Sequence, residues 1–242
     1  MSDLIERYTR KAKLAEKSGR YNDMYESIFI ATADGRSLSN EERNLFSVAA
    51  KNVTAPLLAA LDKVTPFTQD EEASTLSVQV AMEYRLELAA QVEAFITGRV
   101  LPRLEEYLAA DDKKPETTAF YQKMYADQQR YRCQYLQGPA REMTLKNAGS
   151  SYEKAVKTAT DGLAPTDPIW LGLALNYSVF LHDIKLDKKA AIDFAKSAFD
   201  RGVEGLETMD EDTYKESTFI LQVMRDDLTL WQEELGEGEG GH

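Results

Sequence analysis

Apolar residues recur at helical spacing through almost the whole chain, and the pattern is fullest near its end. Between Tyr214 and Trp231 the residues Phe219, Ile220, Val223, Met224, Leu228 and Trp231 return on one side of a helix. Upstream, the same periodicity is broken only by readable punctuation. Ser18-Gly19 separates helices predicted over 3–18 and 21–33. Ser39-Asn40-Glu41-Glu42 is a capping box, in which the serine hydroxyl meets an orphan amide and Glu42 reaches back to the helix start. The helix it opens runs towards Phe67, and Pro56, lacking an amide for the Asn52 carbonyl, is expected to kink it.

A long helix over about 74–108 places Leu76, Val80, Leu86, Val92, Ile96 and Leu104 broadly on one side. Pro115 opens a helix to about 135, and a sixth spans roughly 140–160. Asp167-Pro168 starts the next, over 168–184, with the aspartate as cap. Asp187 caps one reaching about 203, and Thr208 to Glu211 forms a second capping box before the last helix. Residues 236–242, a Gly/Glu run, have nothing to bury and are expected to be disordered. No strand alternation survives, so the chain reads as all-α with short connections between antiparallel neighbours.

Composition narrows the function. The chain has 242 residues and a formal net charge of -12, which excludes a general nucleic-acid binder yet leaves room for a local cationic pocket. Cys133 is the single cysteine, so no intrachain disulfide forms and a reducing, cytosolic setting is expected. Met1 to Arg10 lacks a signal-peptide core, and the greasiest run, Ile169 to Leu181, is too short to span a bilayer. No membrane association is therefore expected.

Enzyme signatures are absent: there is no HExxH, Walker loop, cysteine pair or Gly-x-Ser-x-Gly elbow. No catalytic residue, cofactor or metal site is expected. Of the two histidines, His182 reads as structural and His242 ends the tail. Cys133 reads as a small buried side chain. A cationic set is more informative: Lys51 on the third helix and Arg130-Tyr131 on the fifth. A phosphate takes an arginine fork, an ammonium and a hydroxyl donor from separate elements. Spacing alone leaves open whether these residues meet or are surface charge on amphipathic helices.

The segments Arg20-Tyr21-Asn22-Asp23-Met24, Leu38-Ser39-Asn40-Glu41-Glu42-Arg43-Asn44-Leu45-Phe46-Ser47-Val48-Ala49, Lys51-Asn52-Val53, Phe120-Tyr121-Gln122-Lys123-Met124, Arg130-Tyr131 and Pro165 to Phe180 resemble 14-3-3 sequence. The final helix does so nearly residue for residue. The matches are collinear from about residue 4 to 234. The resemblance implies nine antiparallel helices in a single domain over 1–235, cup-shaped with an amphipathic groove, whose N-terminal helices form a dimerisation region. It implies an adaptor in signal transduction that binds phosphoserine and phosphothreonine motifs of partner proteins.

By position, the resemblance makes Lys51, Arg130 and Tyr131 phosphate ligands. It makes Asn176, Asp183 and Asp227 the peptide-backbone residues, with Asp183 standing where the family uses glutamate. Leu175, Val179, Phe219, Ile220, Val223 and Trp231 correspond to the groove's apolar wall. Three positions depart. Leu58 replaces a phosphate-clamping arginine, Asp62 replaces another basic residue, and Asp227 stands where a second backbone-anchoring asparagine is expected. Losing one charge-assisted contact costs on the order of 1.5–3 kcal/mol, roughly ten- to hundredfold in affinity. Weakened or altered phosphate recognition is therefore expected.

Leu14, Ala60, Val64, Phe67 and Tyr84 correspond to the dimer surface, but its ion pairs are changed: Asp23 would face Glu87, and Arg20 would face Gln91. A weakened homodimer, or pairing with a related 14-3-3 chain, is expected. Two other readings stay open. One is a divergent scaffold that binds unphosphorylated peptides or acts by heterodimerising. The other is a tetratricopeptide-like array, although no clear 34-residue repeat is found.

Overall fold

The computed structural model describes residues 2–109, 114–208 and 211–239, which form helices and, among the described residues, no strand. The chain divides into two compact units, Met1–Asp111 with Gln134–Leu136, and Asp112–Cys133 with Gln137–His242.

The first unit holds α1 (Ser2–Lys17), α2 (Tyr21–Ala31), α3 (Asn40–Val64), a 3-10 turn (Thr65–Gln69), α4 (Thr75–Phe95), a π turn (Ile96–Val100) and α5 (Leu101–Ala109). α1 stops because Gly19 turns into the left-handed region at φ +67, letting the Arg20 amide reach back to the Ala15 carbonyl at 2.9 Å. The expected capping box is present. Ser39 accepts from the Glu42 amide at 3.2 Å, Glu42 accepts from the Ser39 amide at 2.9 Å, and Arg36 forks onto the same carboxylate. α3 runs unbroken through Pro56. Its buried face, with Leu45 and Phe46, packs against Met24, Tyr25 and Ile28 of α2. Tyr25 sits edge-on to Phe95 of α4, ring centroids 4.7 Å apart. α4, the π turn and α5 form one continuous rod, buried in its second half through Leu88, Val92, Ile96, Val100 and Leu104.

The second unit holds nearly all of α6 (Pro115–Tyr135), then α7 (Gly138–Gly162), α8 (Pro168–Val179), a π turn (Phe180–Ile184), α9 (Lys188–Glu204), a 3-10 turn (Leu206–Thr208) and α10 (Glu211–Glu239). With the α4–α5 rod counted once, the described residues make nine helices; α1, α2, α3 and α4 pack in succession in the first unit, and α7, α8, α9 and α10 in the second. Asp167 caps α8 by accepting from the Ile169 amide at 2.8 Å, as its place before Pro168 predicts. α8 lies in the core, with Leu171, Leu173 and Ala174 fully buried beside Tyr152, Phe180 and Met224. Gly202 lets α9 approach closely, because a Cβ there would meet Leu221 at 2.9 Å and Leu171 at 3.0 Å.

One boundary is corrected. The expected disordered tail over 236–242 is helical as far as Glu239, because extending a formed helix needs no new nucleus. Residues 240–242, with His242, lie outside the described residues, and so do Met209 and Asp210 of the second capping box. Among the described residues, no helix is long and apolar enough to cross a membrane, and no cluster of His, Cys, Asp and Glu could hold a metal ion.

Candidate functional site

α6 carries Lys123, Asp127, Arg130 and Tyr131 at i, i+4, i+7 and i+8, which puts them along one face. Asp127 is the centre of this group and is only 6% exposed. Its Oδ1 accepts from the Tyr152 hydroxyl of α7 at 2.5 Å and from the Asn176 amide of α8 at 2.9 Å. Its Oδ2 accepts from the same amide at 2.9 Å and from the Lys123 ammonium at 3.0 Å. Arg130 donates from Nε to the Tyr152 hydroxyl at 3.2 Å and lies over the Tyr131 ring, 4.8 Å from its centroid. Three helices thus place one carboxylate, two cations, two phenols and an amide in a single cluster.

The protonation states follow from this geometry. Burial disfavours charge on Asp127, but Lys123, Arg130 and the Tyr152 hydroxyl outweigh it and hold the carboxyl below its usual range. Burial also opposes the charge on Arg130, yet Tyr152 and Asp127 keep the guanidinium firmly protonated. Burial and the Asp127 charge push the Tyr152 phenol well above its ordinary value, and the same two causes raise Tyr131. Both remain neutral hydroxyl donors. The cluster carries two positive charges against one negative, and Arg130 is fixed through its Nε on the Tyr152 hydroxyl with Tyr131 beside it.

Of the residues expected at a site, Arg130, Tyr131 and Asn176 are brought together in the second unit. Lys51 stands exposed on α3 of the first unit and takes part in no ion pair among the described residues. On the same helix Leu58 is buried and Asp62 is exposed. Leu175, Val179 and Ile220 are half-buried against the core of the second unit, Val223 is also half-buried, and Phe219 is 71% exposed. Trp231 is a core residue, 4% exposed and stacked on His182 with ring centroids 4.6 Å apart.

His182 is buried as expected for a structural histidine. It bonds Asp183 at 2.7 Å and faces Glu234 at 3.3 Å, while Lys188 pairs with Glu234 at 2.8 Å. Burial together with the charges of Asp183 and Asp226 raises the Asp227 carboxyl above its usual range. Cys133 is buried, and burial pushes its thiol up.

At the expected dimer surface, Leu14, Phe67 and Tyr84 are exposed, while Ala60 and Val64 are half-exposed. Arg20 and Asp23 bond to each other along α2. The sequence reading missed Lys123, Asp127 and Tyr152. The first two carried a signal in their helical spacing from Arg130. Tyr152 carried none, since nothing in α7 marks it as facing α6.

The family model described as "14-3-3 protein" matches residues 11–232, through both units. The chain is 40% identical over 239 residues to 14-3-3 protein beta/alpha-1 of Oncorhynchus mykiss, covering 99% of this chain and 96% of that protein. It is 40% identical over 222 residues to 14-3-3 protein theta of Mus musculus, covering 92% and 90%. With 14-3-3 protein beta/alpha of Homo sapiens it shares 39% over 231 residues, covering 96% and 94%. The chain therefore belongs to the 14-3-3 family, and is a non-enzymatic adaptor for partner proteins.

Proposed function

We propose that this adaptor binds phosphoserine or phosphothreonine segments of its partners, with Arg130 and Tyr131 taking the phosphate and Asn176 taking the peptide backbone. The observation that carries the reading is the Arg130 cluster. A guanidinium held from behind by Tyr152 and Asp127 meets an anion without first losing side-chain freedom. Tyr131 adds a neutral hydroxyl beside it. Half-buried Leu175, Val179, Ile220 and Val223 offer apolar contact for the segment's side chains, and exposed Phe219 extends it.

Phosphate recognition is weaker in this reading than a full set of cations would give. Leu58 turns hydrocarbon into the core where the resemblance puts an arginine, and Asp62 adds a negative charge one turn on. One missing charge-assisted contact corresponds to about ten- to hundredfold in affinity. Those two residues are also what supports the second reading, a scaffold for unphosphorylated segments.

Calorimetry with a phosphoserine peptide and its unphosphorylated twin separates the two. The phosphorylated form is expected to bind at least about tenfold tighter, and Arg130→Ala to remove that preference while leaving the unphosphorylated affinity in place. Equal affinities for the twins would overturn phosphate reading and leave the scaffold.

A further inference from the structure

Asp127 and Tyr152 are not among the residues expected to meet a ligand, yet Lys123, Arg130 and Asn176 all bond to them. Arg130 donates to Tyr152, Tyr152 donates to Asp127, and Asn176 donates to both oxygens of the same carboxylate. From this geometry we infer that Asp127 and Tyr152 are positioning residues, coupling the arginine that takes the phosphate to the asparagine that takes the peptide backbone. The inference rests on the proposed reading of Arg130 and Asn176 and adds a direction to it.

The direction comes from Asn176. An amide facing two carboxylate oxygens must turn its nitrogen towards them, because the opposite orientation would set oxygen against anionic oxygen. Asp127 is held ionised, so that choice is fixed. The carbonyl oxygen of Asn176 is then the atom left for a ligand, and it accepts. The bound segment must bring a backbone N–H to it. Proline, which has none, is rejected at that position.

Tyr152 has the matching role on the other side. Its hydroxyl accepts from the Arg130 Nε and donates to Asp127, which it can do only as the neutral phenol that burial and the Asp127 charge enforce. Removing the hydroxyl frees the guanidinium and leaves the Asp127–Asn176 bonds standing. Replacing Asp127 by asparagine disturbs both ends, because the new amide nitrogen can donate to the Asn176 oxygen and let that amide reverse.

The test uses the full chain and a phosphoserine peptide whose backbone amides are N-methylated one at a time. In the wild type, one methylated position is expected to lose about tenfold in affinity. In Asp127→Asn that penalty is expected to shrink to within about threefold, as either end of Asn176 can then face the ligand. Tyr152→Phe, which preserves ring and volume, is expected to lower affinity for the phosphorylated peptide about tenfold and to leave the N-methyl pattern intact.

A second measurement needs no ligand. The side-chain N–H signals of Arg130 and Asn176 in nitrogen-15 spectra are expected to shift together in Asp127→Asn, and Arg130 alone in Tyr152→Phe. Folded Asp127→Asn that keeps both the N-methyl pattern and unshifted side-chain signals would overturn the coupling. So would Tyr152→Phe with an unmoved Arg130 signal, should Asp127→Asn fail to fold. Loss of phosphate preference in the wild type would instead overturn the proposed function, and the spectra would still decide the coupling.

Discussion

α4 and α8 are the two helices whose apolar residues run round more than one side, and both lead into a five-residue π turn. Their surroundings are opposite. α8 is enclosed within its unit by α7, α9 and α10, so that Trp170, Leu171, Leu173, Ala174 and even Ser178 are buried. The first half of α4 leaves Leu76, Val80, Met82, Tyr84 and Leu86 in solvent, with Leu76 at 69% exposed. A helix that is apolar on several sides needs cover on several sides. α8 finds it in its own chain. Among the described residues the first half of α4 does not, and its apolar side chains stand open to solvent.

The sharpest way to break this contrast is to cut into α8. Leu171 is fully buried and is one of the two side chains that a Cβ at Gly202 would strike, so the site cannot collapse far. Leu171→Ala is expected to cost about 2–5 kcal/mol, read as a lower urea midpoint at unchanged slope. A loss below about 1 kcal/mol would mean that α8 is no more enclosed than α4.

The contrast also explains what could be read in the chain beforehand. Capping residues act on their own helix, so Ser39-Glu42 and Asp167-Pro168 placed their boundaries correctly. The helix expected over 168–184 forms as α8 with its π turn for the same local reason. The Asp127 cluster did not show, because its bonds join residues 25 and 49 positions apart and depend on which faces of α6, α7 and α8 meet. Periodicity finds a face; it does not say what polar group waits opposite. The resemblance supplied Arg130, Tyr131 and Asn176 but not the carboxylate that holds them.

α4 offers the next test, smaller for folding and larger for assembly. Tyr84 is exposed and lies at the expected dimer surface, so Tyr84→Ala is expected to change folding stability by less than about 0.5 kcal/mol. If a second 14-3-3 chain covers α4, the same substitution weakens self-association about tenfold, visible by sedimentation at low micromolar concentration. Glu87 is exposed on this helix, and Asp23 is already paired with Arg20 in its own chain. Glu87→Lys is therefore expected to strengthen the homodimer by removing a like charge. If Tyr84→Ala unfolds the chain as Leu171→Ala does, α4 is covered from within and the comparison fails.

The smallest effect lies where the two rods end differently. The π turn after α4 passes straight into α5, whereas the one after α8 is followed by Leu186, which takes φ +59 before Asp187 caps α9. A side chain with a Cβ costs about 1–2 kcal/mol in that left-handed region, and only glycine avoids it. Leu186 is 75% exposed, so little packing offsets the strain. The Asp187 amide, bonded to the Leu181 carbonyl at 2.9 Å, keeps the turn in place. Leu186→Gly removes the strain but gives the unfolded chain more freedom, which takes back part of the gain. A net stabilisation of about 0.5–1 kcal/mol is expected, read as a small rise in melting temperature. Destabilisation would show that Leu186, for all its exposure, is held by a contact that strengthens the end of α8, and that the two rods are more alike than their burial says.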